Sequence, residues 1–323
     1  MIVIKLIGGL GNQIFHYAMV YQLKKIYPDF EIYYDTSYFK EHKTIVFKSG
    51  SYLMDQYISH PLREYMLDVP IKPNFISRLY RFLSKKHLFG KKGSWLDRIS
   101  YAFAIKHGNI KKEKFELGYI KNFYKSFSGA YTPKAGYWVE GNWCDHRYFE
   151  GILDELKQDF RLLDRSVAFY TLSDAIGDQD IMMHVRRGDY LNMGQGPEGL
   201  FIGMNYYRNA LNLLIANGID LQNAVIWVFS NDYEWCEQNF IKEFPNLKFC
   251  FGSQSLSDVE SFELMRQFKY RILANSTYSL WSYFLSDKTA ERTIYPKVWE
   301  EGYRNIGFQI LNLKANGLEG CDS

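Results

Sequence analysis

Apolar and polar positions along this chain fall into blocks that predict an α/β protein. The stretch Met1–Ile7 reads as a buried strand, Gly8-Gly9-Leu10-Gly11-Asn12-Gln13 as a tight turn, and Ile14 to Lys25 as an amphipathic helix by its 3.6-residue apolar spacing. Phe30 to Asp35 predicts a second strand. After Trp138-Val139-Glu140 and a helix over 149–160, the alternation restarts, with strands predicted over 181–185, 224–229, 247–251 and 271–274. Helices are predicted over 206–216, 233–240, 257–268 and 277–285. The restart sets two domains, 1–162 and 163–323, and no internal repeat or low-complexity linker interrupts them.

The polar clusters fall where predicted strands end, the edge at which open parallel sheets bind ligands. The richest is His184-Val185-Arg186-Arg187-Gly188-Asp189-Tyr190, entered from Ile181-Met182-Met183. Adjacent arginines there suit a phosphate ester held without a metal, because a guanidinium fork matches two phosphate oxygens at once. The alternative is a surface salt bridge of Arg187 with Asp189. The glycine turn at 8–13 presents backbone N–H groups to an anion. It nearly matches a dinucleotide fingerprint, with Gly9 and Gly11 in place but Ile14 where a third glycine belongs, so an NAD-dependent oxidoreductase remains a rival. Asn12 and Gln13 fit that rival poorly. Asp178-Gln179-Asp180 has the spacing of a metal-binding D-x-D, yet it precedes a strand and reads as a polar turn.

Four motifs occur in order along the chain: Gly8-Gly9-Leu10-Gly11-Asn12-Gln13-Ile14-Phe15, the heptapeptide at 184–190, Phe229-Ser230-Asn231-Asp232, and Ile272-Leu273-Ala274-Asn275-Ser276-Thr277-Tyr278-Ser279-Leu280-Trp281. With the looser match over 139–149, the chain resembles the α-1,2-fucosyltransferases of glycosyltransferase family 11. It departs from them at Asn231, where the family shows aspartate, near Ser261, where an aspartate is common, and at Leu280-Trp281, where a Trp pair is usual. The resemblance implies a GT-B-like fold of two Rossmann-type lobes with the donor site between them. The N-terminal lobe would face the acceptor and the C-terminal lobe would bind GDP-fucose. The implied reaction is inverting transfer of L-fucose to the 2-hydroxyl of a terminal β-galactoside in a bacterial surface glycan, through an oxocarbenium-like state that places negative charge on the β-phosphate.

Residue by residue, the resemblance gives Arg186 the leaving-group charge, helped by Arg187. Gly11 and Asn12 would close over the pyrophosphate or sugar. Asn275, Ser276 and Thr277 would form a second phosphate cradle, with plain helix capping as the alternative. Ser230 and Asp232 would read the nucleoside or cap the helix that follows, and Glu260 or Asp258 is a candidate for guanine. His184 is a ribose contact or a packed strand residue, and His16 reads as structural. For the general base the candidates are Asp189, otherwise expected to pair with and orient Arg187, and Glu198 in the glycine-rich loop 194–199.

Composition adds constraints of its own. At 323 residues, 47% apolar and 23% charged, the chain is long enough for two cores. Cys144, Cys236, Cys250 and Cys321 show no metal spacing and read as free thiols in a reducing cytoplasm, and no apolar run approaches the length of a membrane span. Residues 72–125 hold 14 Lys and Arg against three acids, an excess of 11 charges in a chain whose net charge is +3, so the remainder carries −8. Aromatics interleave those cations, which predicts a basic helical insertion facing an anionic membrane surface, or else a solvated helical face. No nucleic-acid signature accompanies it. The expectations are therefore a metal-independent enzyme with GDP-fucose as donor substrate and no resident cofactor. Its partner is a β-galactoside acceptor, lipid-linked or free, and its location the cytoplasm, either free there or peripheral on the inner membrane face. A fucosyltransferase of another linkage and a non-catalytic glycan- or nucleotide-binding module stay open as alternatives.

Overall fold

A computed structural model describes residues 2–26, 28, 32–35, 39, 53–57, 66–67, 111–114, 137–140, 143–146, 149–192, 200–286, 288, 291–298 and 318–322. The chain divides into two compact units: Met1–Ile7, Val20–Lys43 and Pro61–Asn142 form the first, and Gly8–Met19, Thr44–His60 and Trp143–Ser323 the second. The expected α/β class is observed, with one parallel sheet in each unit.

The first unit carries β1 (Ile2–Lys5), β2 (Ile32–Asp35), β3 (Met66–Leu67), β4 (Lys111–Lys114) and β5 (Tyr137–Glu140) in the order β3-β2-β1-β5-β4. β1 pairs Ile2 with Ile32 on one side and with Tyr137 on the other. β4 comes from the basic stretch expected to be helical, and these four residues form a strand against β5. The rest of that stretch lies outside the described residues.

The second unit holds β6 (Ile181–Val185), β7 (Val225–Ser230), β8 (Lys248–Cys250), β9 (Tyr270–Ile272), β10 (Arg292–Pro296) and β11 (Leu318–Cys321), ordered β11-β10-β9-β6-β7-β8. Read from β8, that is the Rossmann order 3-2-1-4-5-6, whose direction reverses between β6 and β9. All five residues of β6 are buried, as both faces of a central parallel strand must be. One face packs Ile181, Met183, Val185, Ile226 and Val228 against α4 (Gly203–Ala216), through Tyr206, Tyr207, Ala210 and Leu214, and against Cys236 and Phe240 of α5 (Tyr233–Glu243). On the other face Trp227 and Phe229 bring their rings to 5.9 and 6.0 Å from Phe268. Also among the described residues are α1 (Leu10–Ile26), α2 (Leu153–Asp159), α3 (Val167–Asp174) and α6 (Asp258–Met265), and α7 (Thr277–Phe284) follows β9.

The start of α1 belongs to the second unit for an evident reason. Phe15 sits 4.9 Å from Trp281 and 5.6 Å from Phe149, and Phe149 lies 4.5 Å from Trp281, all three buried. Aromatic contacts of this kind contribute about 0.5–1.5 kcal/mol beyond their buried area. They hold the first turns of α1 against α7. The glycine turn is shorter than expected: Gly8 takes φ +80°, Asn12 and Gln13 donate backbone N–H to the carbonyl of Gly9, and Gly11 already lies inside the helix.

All four cysteines are free thiols. Among the described residues no helix is long and apolar enough to cross a membrane.

Candidate active site

β6 and β7 end in register, Val185 beside Ser230, so the residues that follow leave the sheet side by side. Arg186 donates through Nη2 to Asp189 at 2.8 Å, and its guanidinium lies 5.4 Å from the centre of the Tyr190 ring. The Tyr190 hydroxyl in turn donates to the carbonyl of Asn275 at 3.1 Å, beyond β9, and burial pushes its pKa up. The arginine is thereby tethered at the switch point of the sheet, where β6 and β9 part.

The expected pairing of Asp189 with Arg187 is not the one observed. Residues 188–192 form a 3-10 turn that sets Asp189 under Arg186, three residues back. Arg187 pairs instead with Asp232, and its guanidinium is flanked by Trp235 at 4.6 Å and Phe201 at 5.8 Å. Asn231 joins the two turns, accepting from the backbone N–H of Arg187 at 3.0 Å and donating to Asp189 at 2.8 Å.

Beyond β9, Ser276 caps α7 by accepting from the N–H of Tyr278, so the capping role is real. The adjoining Thr277 hydroxyl donates to Oδ1 of Asn12 at 3.0 Å. Gly11 is the closest point of this contact: a Cβ there would lie 2.5 Å from the carbonyl carbon of Thr277 and 2.5 Å from the N of Tyr278. Two helix starts thus abut, and each carries the partial positive charge of a helix N-terminus.

Capping also accounts for Asp232 and Glu260. Asp232 accepts from the N–H of Trp235 at the start of α5, and Ser230 accepts from the N–H of Asp232 at 3.0 Å. Glu260 forms a capping box with Ser257 and takes the N–H of Ser166 at 2.7 Å. Although burial raises its pKa, the hydrogen bonds from Ser166 and Ser257 prevail and hold the carboxyl at about 2. Asp178-Gln179-Asp180 is a turn. Asp180 is buried and accepts from the backbone of Val225 and the indole of Trp227, while Asp178 pairs with Lys269 at 2.6 Å. Glu198 lies outside the described residues.

His184 is buried at the end of β6, 5.6 Å from the Tyr278 ring, and burial, aided by the Arg186 charge, lowers its pKa to about 3. Its Nδ1, Arg187 Nε and Asn275 Oδ1 are buried without a hydrogen-bond partner. Each such group costs about 1–3 kcal/mol unless a ligand or water satisfies it. Their grouping at the ends of β6 and β9 marks a place where a polar ligand would be favoured.

A Rossmann-order sheet with an arginine and two helix N-termini at its switch point is the anatomy of an anion-binding α/β domain. The model of the family described as "Glycosyl transferase family 11" matches residues 97–304, and the chain belongs to that family. It is 27% identical over 309 residues to an alpha-1,2-colitosyltransferase of Escherichia coli, spanning 93% of this chain and 92% of the relative. It is 24% identical over 176 residues to galactoside alpha-(1,2)-fucosyltransferase 2 of Pongo pygmaeus, spanning 52% of this chain and 49% of the relative. Among solved structures it is similar to fucosyltransferase NodZ from Bradyrhizobium, with a TM-score of 0.49, 12% identity, and coverage of 90% of this chain and 94% of that one.

The residues that sequence reasoning passed over are Tyr190, Asn231, Phe201 and Trp235. Tyr190 was visible as the last residue of the arginine motif and Asn231 as a departure from the family pattern. The stacking on Arg187 left no local signal, because Trp235 is 48 residues away, in α5.

Proposed function

We propose that this glycosyltransferase moves L-fucose from GDP-fucose, with inversion, to the 2-hydroxyl of a terminal β-galactoside in a bacterial surface glycan. The observation that carries the reading is the tethered Arg186 at the switch point, beside the abutting starts of α1 and α7. In the displacement the acceptor oxygen bonds to C1 of the sugar as the bond from C1 to the β-phosphate oxygen breaks. The leaving GDP gains charge, and a fixed guanidinium with N–H groups around it stabilises that charge more than it does the ground state. Such a donor contributes about 3–4 kcal/mol.

Gly11, Asn12, Asn275, Ser276 and Thr277 are assigned to the pyrophosphate, and His184, Ser230 and Asp232 to the nucleoside side. Arg187, covered by two rings and paired with Asp232, supports that wall. Donor binding is thus assigned to residues 163–323 joined by Gly11 and Asn12, which share their compact unit, and acceptor binding to the N-terminal residues. Both oxygens of Asp189 are engaged, by Arg186 and by Asn231. That favours an orienting role for Asp189 and leaves Glu198 as the base candidate. The chemistry needs no metal in this scheme, so activity should survive excess EDTA. Loss on chelation, restored by Mg²⁺ or Mn²⁺, would overturn that part.

The reading is tested by incubating GDP-fucose with a β-galactoside and determining GDP release and the product linkage by NMR. Binding of NAD without GDP would favour an oxidoreductase, and GDP-fucose binding without turnover a non-catalytic module. Similarity to a colitosyltransferase over 93% of the chain favours one second reading, a colitosyl rather than a fucosyl donor, and the same assay with that donor separates the two. The basic stretch 72–125 is proposed to hold the enzyme on anionic membranes near a lipid-linked acceptor. Equal co-sedimentation with neutral and anionic vesicles would refute this.

A further inference from the structure

The two turns leaving β6 and β7 are bridged by a single side chain. Asn231 accepts the backbone N–H of Arg187 through Oδ1 at 3.0 Å and donates through Nδ2 to Asp189 Oδ1 at 2.8 Å, while Asp189 Oδ2 receives Arg186 Nη2 at 2.8 Å. An amide offers a donor and an acceptor at once; a carboxylate or a hydrocarbon of the same shape does not. The approach also depends on Gly188, because a Cβ there would lie 2.8 Å from Asn231 Nδ2. Residue 188 is thus left bare where the amide crosses the turn.

We infer that Asn231 is a positioning residue, which sets the guanidinium of Arg186 by fixing Asp189 and the backbone from which the arginine springs. Without it Asp189 loses the hydrogen bond that selects one of its rotamers, and Arg186 is then held by a carboxylate free to turn. Such an effect falls on the transition state, where the position of the cation matters most, and leaves acceptor binding alone. The inference rests on the assignment of Arg186 to the leaving phosphate.

The test is a double-mutant cycle on Asn231→Ala and Asp189→Ala, with Asn231→Leu as a second variant of similar volume. Turnover with GDP-fucose and GDP affinity by calorimetry are both measured, and thermal melting confirms that each variant is folded. Asn231→Ala and Asn231→Leu should each lower kcat about tenfold with the acceptor KM unchanged. Adding Asn231→Ala to Asp189→Ala should lower kcat by clearly less than it does in the wild type, because the path through Asp189 is already cut and only the bond to the Arg187 N–H is left to lose. Losses that multiply, or a rise in acceptor KM with kcat intact, would overturn the positioning role while GDP binding by the wild-type protein stands. A wild-type protein that does not bind GDP would instead overturn the donor assignment beneath it.

Discussion

The Thr277 hydroxyl donates to Oδ1 of Asn12 across 3.0 Å, joining the first turn of α1 to the first turn of α7. The contact is possible because Gly11 has no side chain. A methyl group at that position would meet backbone atoms of Thr277 and Tyr278 at 2.5 Å, and backbone cannot turn aside as a flexible side chain would. Gly11→Ala should therefore push the two helix starts apart. The expected cost is about 1–3 kcal/mol of stability. A loss of turnover of about a hundredfold should accompany it, since roughly 1 Å of misplacement suffices for that. Urea unfolding and steady-state kinetics check both, and an active, equally stable variant would mean that the two helix ends are free to separate.

Arg186→Lys tests the leaving-group assignment. Lysine keeps the charge but not the planar fork, and it cannot hold Asp189 while lying over the Tyr190 ring as the guanidinium does. Turnover should fall by roughly two orders of magnitude. A lysine variant with near wild-type kcat and an intact circular dichroism spectrum would remove Arg186 from the mechanism.

How far the sequence carried this picture differs from element to element. β6 was predicted at 181–185 and found there, because the apolar run Ile181-Met182-Met183, carried on by Val185 and closed by arginines, suits a central strand buried on both faces. The start of α1 was set too late, at Ile14. Glycine is a poor helix former, and only its packing against Thr277 places Gly11 inside the helix. Asp189 was identified as an arginine partner but matched to the wrong arginine, since a 3-10 turn, invisible in the composition, brings residues three apart together. Glu260 carried its own explanation in Ser257-x-x-Glu260, the signature of a capping box. The partners of Arg187, Asp232 and Trp235 at the start of α5 and Phe201 before α4, are distant in sequence and could not be read locally.

Arg271 makes a prediction about stability. It is fully buried in β9 and donates to Ser286 Oγ at 2.6 Å and to the Arg266 carbonyl, while its Nε and Nη1 have no partner. Burial lowers its pKa to about 10, partly offset by Tyr283. A buried cation without a carboxylate costs more in lost hydration than two neutral acceptors return. Arg271→Met should accordingly be neutral or stabilising, by up to about 2 kcal/mol. Denaturant midpoints decide this, and destabilisation beyond about 1 kcal/mol would show that the guanidinium is better compensated than its contacts indicate.

His184 should make the fold acid-sensitive. Its pKa is about 3 in the folded protein, because burial and then the Arg186 charge disfavour the imidazolium, against 6.5 for the exposed group. Between those values the unfolded chain binds a proton that the folded chain refuses, so protonation favours unfolding. Stability is thus complete above pH 6.5 and declines as pH falls toward 3, by on the order of 5 kcal/mol in the limit. Glu260 acts in the same direction at lower pH. Its folded pKa of about 2 lies below the usual 4.5, and its contribution is lost as pH falls through that interval. Unfolding free energies of the wild type and His184→Asn at pH 7, 6, 5 and 4 separate the two residues, because only the histidine contribution is active between pH 6.5 and 5. The wild type should lose stability over that window while the asparagine variant stays level. Parallel curves would mean that the imidazole gains its proton in the folded protein, and that the end of β6 is open to water.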